Sequence, residues 1–304
     1  MDGTTPVLAP RAAIRHEHPA NKREYFPDPA ERIDRWHQAA NSSNVQNTIK
    51  MITDMCEKHR HPFPARIVDP FAGAGSTAVA ARLMGVDFFG IEIDPVLACI
   101  ATAKVSARLP HRRRPRILTR PADKLVRECL AVLTSSQDMW RRPRLRVQIN
   151  KDLAHDQGAP AASTVICGDT THPRTWQAAT DITGSTVIYT SPPFGHTAQK
   201  APWSTSTHDR AVQALEHAGR YVHDKSPEEA SDYPSFVTAM LMNAKATMPG
   251  ALVIIEHEPA HDQVDERISI AEHIERKADV AVLDILESGN FSGKGPLSFF
   301  VCRV

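Results

Sequence analysis

From residue 45 onward the apolar positions follow two rhythms. Val45, Ile49, Ile52 and Met55 recur at helical spacing and predict a helix over 45–58, with Asn41, Ser42, Ser43 and Asn44 as N-cap candidates and Pro62 and Pro64 beyond its end. Short apolar runs then predict strands at 66–69, 87–93, 163–167, 185–189, 251–256, 280–286 and 297–302. Helical segments fall between them at 76–84, 95–107 (opened by Pro95), 235–247 and 264–277, with a helix or loop near Thr175. Seven strands separated mostly by helices predict an α/β architecture with a mainly parallel sheet. Residues 287–296 hold glycine and proline but no helical pattern, so the last two strands can be antiparallel neighbours.

Three segments stand outside this alternation. Residues 1–40, rich in proline, histidine and charge, are expected to lie over the surface as an arm, so that 1–60 comprises an arm and one helix and 61–304 the main domain. Residues 108–162 form an insertion with a helix expected over 122–133. Residues 195–231 are polar and without strong periodicity, which predicts a lid or recognition loop over about 195–234.

Composition sharpens the picture at one place. A chain of 304 residues with 41% hydrophobic content buries a full core in one large domain, or one domain with insertions. The net charge is +1, yet residues 106–150 hold 12 Lys plus Arg against 3 Asp plus Glu, leaving 24 against 32 for the rest. That concentration suits a polyanionic partner. The five scattered cysteines form no Cys-x-x-Cys pair and point to reduced thiols, and no histidine spacing suggests a metal site. No apolar run approaches a membrane span and the N-terminus is not a secretory signal, so the expectation is a cytoplasmic protein with no membrane and no metal.

The chemistry-bearing residues fall after predicted strands, where an open α/β sheet binds its ligands. Asp69-Pro-Phe-Ala-Gly-Ala-Gly75 follows the first strand: glycines let the backbone turn tightly and approach a ligand, and the next helix offers free N–H groups. The third glycine of a dinucleotide fingerprint is missing near Ala78, which favours a nucleoside with a small charged tail over a pyrophosphate. Glu92, about 20 residues beyond the turn, is placed to accept from ribose hydroxyls, and Asp169 in Cys167-Gly-Asp169 to meet an adenine amino group. About 120 positions after Asp69 comes Thr190-Ser-Pro-Pro-Phe194. An amino group on a heteroaromatic ring has a delocalised lone pair and is a poor nucleophile until acceptors hold its N–H bonds out of plane. Ser191 Oγ and the Pro192 carbonyl suit that task, Pro192 and Pro193 remove competing N–H donors and fix φ, and Phe194 offers a face for stacking.

The segments DPFAGAGST, GIEID, CGD and TSPPF resemble the motifs of class I S-adenosylmethionine-dependent methyltransferases, and within them the amino-methyltransferases of cytosine N4 or adenine N6 in DNA. The resemblance covers most of residues 66–304. It implies a Rossmann-like fold, a seven-stranded mainly parallel sheet with helices on both faces and an antiparallel final strand. It also implies S-adenosylmethionine as cofactor, held by Asp69, Phe71, Gly73, Gly75, Glu92 and Asp169, and catalysis at Ser191, Pro192 and Phe194. Pro193 would join the substrate site, and Arg112, Arg113 and Arg114 would meet phosphates. By the same analogy Asn44 or Asn47 approaches the methionine carboxylate, and serine at 191 leans toward cytosine N4 in DNA, a base that must be flipped from a duplex. No separate target-recognition domain is visible, so the insertion or the loop after Phe194 would supply recognition. Two other readings stay open: the same acceptors suit RNA, a peptide, or a small amine or amide, and the fold can also serve as a non-catalytic binding scaffold.

Overall fold

β2 (Arg66–Asp69) and β5 (Thr186–Thr190) lie side by side and parallel at the middle of the sheet, each apolar on both faces because helices cover both. The computed structural model describes residues 15–16, 45–106, 121–135, 162–179, 184–192, 203–222, 233–257, 264–288 and 298–304. Around this pair stand β3 (Asp87–Glu92), β4 (Ser163–Cys167), β6 (Leu252–His257), β7 (Ala281–Ser288) and β8 (Ser298–Arg303), in the order β7-β8-β6-β5-β2-β3-β4. β8 is antiparallel to both β6 and β7, and the others pair in parallel, so the Rossmann-like seven-stranded arrangement is present with its antiparallel strand inserted next to the edge. An eighth, two-residue strand, β1 (Arg15–His16), pairs in parallel with β7. The expected surface arm thus contributes to the sheet edge.

Period-two alternation splits the apolar residues between two faces. Ile67, Val187, Leu252 and Ile254 face α1 (Val45–Lys58), α2 (Ser76–Met84), α3 (Pro95–Ser106) and α4 (Pro121–Ser135). Val68, Ile188, Val253 and Ile255 face the other layer, which comprises the short α5 (Pro173–Trp176), α7 (Tyr233–Thr247) and α8 (Val264–Ala278). The cap residues are readable locally: Pro95 opens α3, and Gly85, at φ +68, ends α2 with its N–H directed to Ala81 O and Arg82 O.

One expectation changes. Within the polar stretch after residue 195 lies a regular helix, α6 (Thr205–His217), capped by Ser204 and packed on α3 and α4. Its buried positions are Thr207, Ala211, Ala214 and Leu215; only the last is a large apolar side chain, so the stripe carries a weak hydrophobic signal. The chain then continues along the free edge of β4, where Cys167 N donates to Arg220 O and Val222 N to Cys167 O, both at 2.8 Å. The expected helix of the insertion is present as α4, burying Leu125, Cys129, Val132 and Leu133. Both atypical segments therefore supply scaffold helices to one face of the sheet.

Candidate functional site

The parallel strands end along one edge of the sheet, and the candidate residues gather there. Asp69, the last residue of β2, is buried, and its Oδ1 accepts the Phe71 N–H at 3.0 Å and the Thr190 hydroxyl at 2.8 Å. Thr190 is the last residue of β5 and precedes Ser191. One carboxylate oxygen therefore joins the glycine turn to the Ser-Pro segment. Burial pushes the Asp69 carboxyl up to about 6, opposed by hydrogen bonds from Thr77, Thr190 and Phe71.

The two glycines of the turn do different work. Gly73, at φ +50, donates its N–H to Glu92 Oε2 at 2.7 Å, and a Cβ placed on it would approach nothing nearer than Phe71 O at 3.9 Å. Gly75, at φ +86, precedes α2, and a Cβ there would lie 2.9 Å from Ala101 Cα on α3. Gly73 borders open space, whereas Gly75 permits two helices to touch.

Glu92, ending β3, is buried. Its Oε1 accepts the Asp94 N–H at 2.9 Å while Oε2 takes that of Gly73. Burial raises its carboxyl to about 7 despite these two donors, and the carboxylates of Asp94 and Asp69 push in the same direction. Each oxygen retains a lone pair for a further donor. Ile93, next in the chain, is 55% exposed, an aliphatic surface at the mouth of the sheet. Asp94 Oδ1 caps α3 through Val96 N and Leu97 N, and its Oδ2 accepts Trp203 Nε1 at 2.9 Å. Asp169, beyond β4, is buried, and its Oδ1 accepts the N–H and hydroxyl of Thr171 at 2.8 and 2.7 Å, so this acid also holds its own turn. Gly73, Glu92, Ile93 and Asp169 thus combine open backbone, hydroxyl acceptors and an apolar face beyond adjacent strands, a set that fits a nucleoside.

Ser191 is half-buried and Pro192 buried at the end of β5. Thr190 pairs with Ile255, so the strand end runs on beside Glu256 and His257 of β6. Tyr189 donates its hydroxyl to Glu256 Oε2 at 3.1 Å, and burial, with the Glu256 charge next, drives its phenol well up. The Phe71 ring packs against Phe236 of α7, centroids 4.9 Å apart at 44°, on the opposite side of the sheet from α2 and α3. Two further ring contacts follow: Tyr233 with His257 at 5.0 Å and His257 with Phe300 at 5.7 Å.

Pro193, Phe194, His196, Asn44, Arg112, Arg113 and Arg114 lie outside the described residues. Asn47 is half-buried in the first turn of α1. Sequence reasoning missed Thr190, Ile93, Asp94, Trp203, Tyr233 and Phe236. Asp94 carried a signal, an Asp immediately before a helix-opening proline. Ile93 continues the apolar pattern of the strand and so carries no separate signal, and the aromatic partners are remote in sequence. Among the described residues no group of three or more His, Cys, Asp or Glu could hold a metal ion, no helix is long and apolar enough to cross a membrane, and all five cysteines are free and buried. A groove of about 570 Å³ lies at the other end of the strands, lined by residues including Arg60, His61, Ser185, Gly250 and Arg303. It is remote from the residues described above.

No protein-family model matches the chain, and no curated protein matches it in sequence. Among solved structures, it is similar to the rRNA methyltransferase AviRa from Streptomyces viridochromogenes, at 16% identity and a TM-score of 0.45 over 88% of each chain. It is similar to the magnesium protoporphyrin IX methyltransferase ChlM from Synechocystis PCC 6803 with bound S-adenosylmethionine, at 9% identity and a TM-score of 0.40 over 90% of this chain and 89% of that one. A third likeness is the N-terminal domain of human METTL16 in complex with S-adenosylhomocysteine, at 10% identity and a TM-score of 0.44 over 88% of this chain and 72% of that one.

Proposed function

We propose that this chain is an S-adenosylmethionine-dependent methyltransferase acting on an exocyclic amino nitrogen of a nucleobase in nucleic acid. The observation that carries this reading is the shared Asp69 oxygen, which binds both the Phe71 amide of the glycine turn and the Thr190 hydroxyl beside Ser191. It joins the end of the strand that precedes Ser191 to the glycine turn, which supports reading the two as parts of one site.

Gly73 and Glu92 would hold the ribose side of the cofactor, Ile93 would lie against its base, and Asp169 would border the base edge. Bound S-adenosylmethionine would supply an electrophilic methyl group: the N–C bond would form as the C–S bond broke, leaving a neutral thioether, and the proton lost from the nitrogen would pass to solvent water. Ser191 Oγ and the Pro192 carbonyl accept the amino hydrogens and turn the nitrogen lone pair toward the incoming carbon. Their effect depends on being held in place before the reaction, which the Thr190–Asp69 bond provides. The basic segment 106–150, including Arg112, Arg113 and Arg114, would meet the phosphate backbone.

Within this reading cytosine N4 in DNA is the favoured target, because serine precedes Pro-Pro at 191. The acceptor pair serves a base in RNA equally well, so both polymers belong in the test. The protein is incubated with S-adenosylmethionine carrying a labelled methyl group and either DNA or RNA, and the nucleosides are resolved by mass spectrometry. Labelled N4-methylcytosine or N6-methyladenine is the expected product, falling steeply as salt rises. Label confined to peptides or small molecules would overturn the proposal.

A further inference from the structure

We propose that Phe236 and Phe71 form a stacking platform for the unpaired target base beside Ser191, and that Tyr233 and His257 hold this platform in position. The inference rests on the methyl-transfer reading above and deepens it by assigning residues that receive the ring.

The first turn of α7 carries two aromatic rings three residues apart, hence on one side of the helix. Tyr233 rests on His257 at the end of β6, which in turn rests on Phe300 of β8, a column of rings running into the sheet. Phe236 rests on Phe71 in the loop after β2. Because β2 and β6 are the two neighbours of β5, the opening turn of α7 spans the end of the strand that delivers Ser191. The Asp69 oxygen that anchors Thr190 also anchors the Phe71 amide, which fixes ring and acceptor strand to one point.

Burial grades along the rings. His257 and Phe300 are buried, as are Val237, Met240 and Leu241 further along α7, and these fill the core. Tyr233, like Phe71 and Phe236, is half-buried. A partly open aromatic pair one strand away from a nitrogen-orienting acceptor offers what a flat heteroaromatic ring requires, and an aliphatic amine or peptide amide has no comparable face to place on it. Phe71, grouped with the cofactor on sequence grounds, is thereby assigned to the substrate.

A test independent of catalysis uses single-stranded oligonucleotides with 2-aminopurine at one position, titrated with protein saturated with S-adenosylhomocysteine. Stacking on the platform is expected to quench the 2-aminopurine emission. Phe236→Leu should abolish the quench and weaken oligonucleotide binding about 5- to 150-fold, the range expected for loss of one base–aromatic stack. Phe236→Trp should preserve both. Tyr233→Leu should reduce the quench partly and Tyr233→Phe restore it, as a positioning role requires. Throughout, calorimetric affinity for S-adenosylhomocysteine should stay within about twofold of wild type, since no ring area is assigned to the cofactor. An unquenched or unbound probe with wild-type protein, an equal quench in Phe236→Leu, or a parallel loss of cofactor affinity would each overturn the platform. Failure of the methyl-transfer reading is separate: the quench persists, but no label enters nucleic acid.

Discussion

The Thr190 hydroxyl donates to Asp69 Oδ1 at 2.8 Å, 121 positions away in sequence, and so ties the ends of two neighbouring strands together. Hydrogen bonds to charged groups contribute roughly 1.5–3 kcal/mol, and a buried acceptor stripped of one donor is left poorly solvated. Thr190→Val, which preserves shape, should therefore lower stability by about 2 kcal/mol. It should also lower kcat more than it weakens S-adenosylhomocysteine binding, because the Ser191 acceptor loses its anchor while Gly73 and Glu92 are untouched. Equal losses in both quantities would separate Asp69–Thr190 from the positioning of Ser191.

The two glycines of the turn should respond differently to one added methyl group. Gly75→Ala forces a Cβ to within 2.9 Å of Ala101 Cα at φ +86, and should destabilise the fold by roughly 2–4 kcal/mol, visible as a fall in Tm. Gly73→Ala meets only Phe71 O at 3.9 Å and should cost about 1 kcal/mol of backbone strain. If the open space beside Gly73 receives the cofactor, calorimetry on Gly73→Ala should show affinity for S-adenosylhomocysteine reduced by about tenfold or more, since overpacking costs roughly 1–3 kcal/mol.

Glu92 makes cofactor binding proton-linked. Its carboxyl is raised by burial to about 7, and ribose hydroxyls donating to it would favour the ionised form. Cofactor binding should therefore release a proton between about pH 6 and 7 and strengthen as pH rises through 7. Calorimetry in buffers of different ionisation enthalpy measures the release, and it should vanish in Glu92→Gln. The ligand-free protein should show the opposite trend. Asp69, raised to about 6, and Glu92 hold protons in the folded state that the unfolded chain, with carboxyls ordinarily near 4, has lost. Their contribution to stability is thus greatest below about pH 4 and is lost as pH rises to about 7 or 8. The Tm of Glu92→Gln, referred to wild type at each pH, should accordingly improve as pH increases.

Ser191→Ala removes one of two acceptors from the proposed amino site without touching the residues assigned to the cofactor. Turnover should fall about a hundredfold, by analogy with the loss of a single preorganised polar group from a reacting centre. Affinity for S-adenosylhomocysteine should be unchanged. Unaltered turnover would remove the role assigned to the hydroxyl.

Much of the architecture was legible because local rules and tertiary contacts agreed. The strands at Arg66–Asp69 and Ser163–Cys167 and the helices at Val45–Lys58 and Ser76–Met84 lie where the apolar spacing predicts them. The glycine- and proline-rich link before β8 correctly indicated an antiparallel pair. Where the helix stripe was only weakly apolar, the pattern failed: α6 buries one threonine, two alanines and a single leucine against α3 and α4, and its packing depends on neighbours that composition does not reveal. Similarly, β1 has only two residues, too few to generate a periodic signal, and is held by pairing with β7.

By itself, the sequence determined the order of elements, the placement of Asp69, Glu92, Asp169 and Ser191 at or just beyond strand ends, and the distinctive glycine turn, because periodicity, turn chemistry and chain direction are local properties. Tertiary structure decided which of these residues meet. It brought Thr190 to Asp69 and Gly73 to Glu92, gave Gly75 to a helix contact, and turned Phe71 toward Phe236. These relationships depend on the β2–β5 pairing and on the two helix layers, that is, on contacts between residues far apart in the chain, whose distances no local spacing encodes.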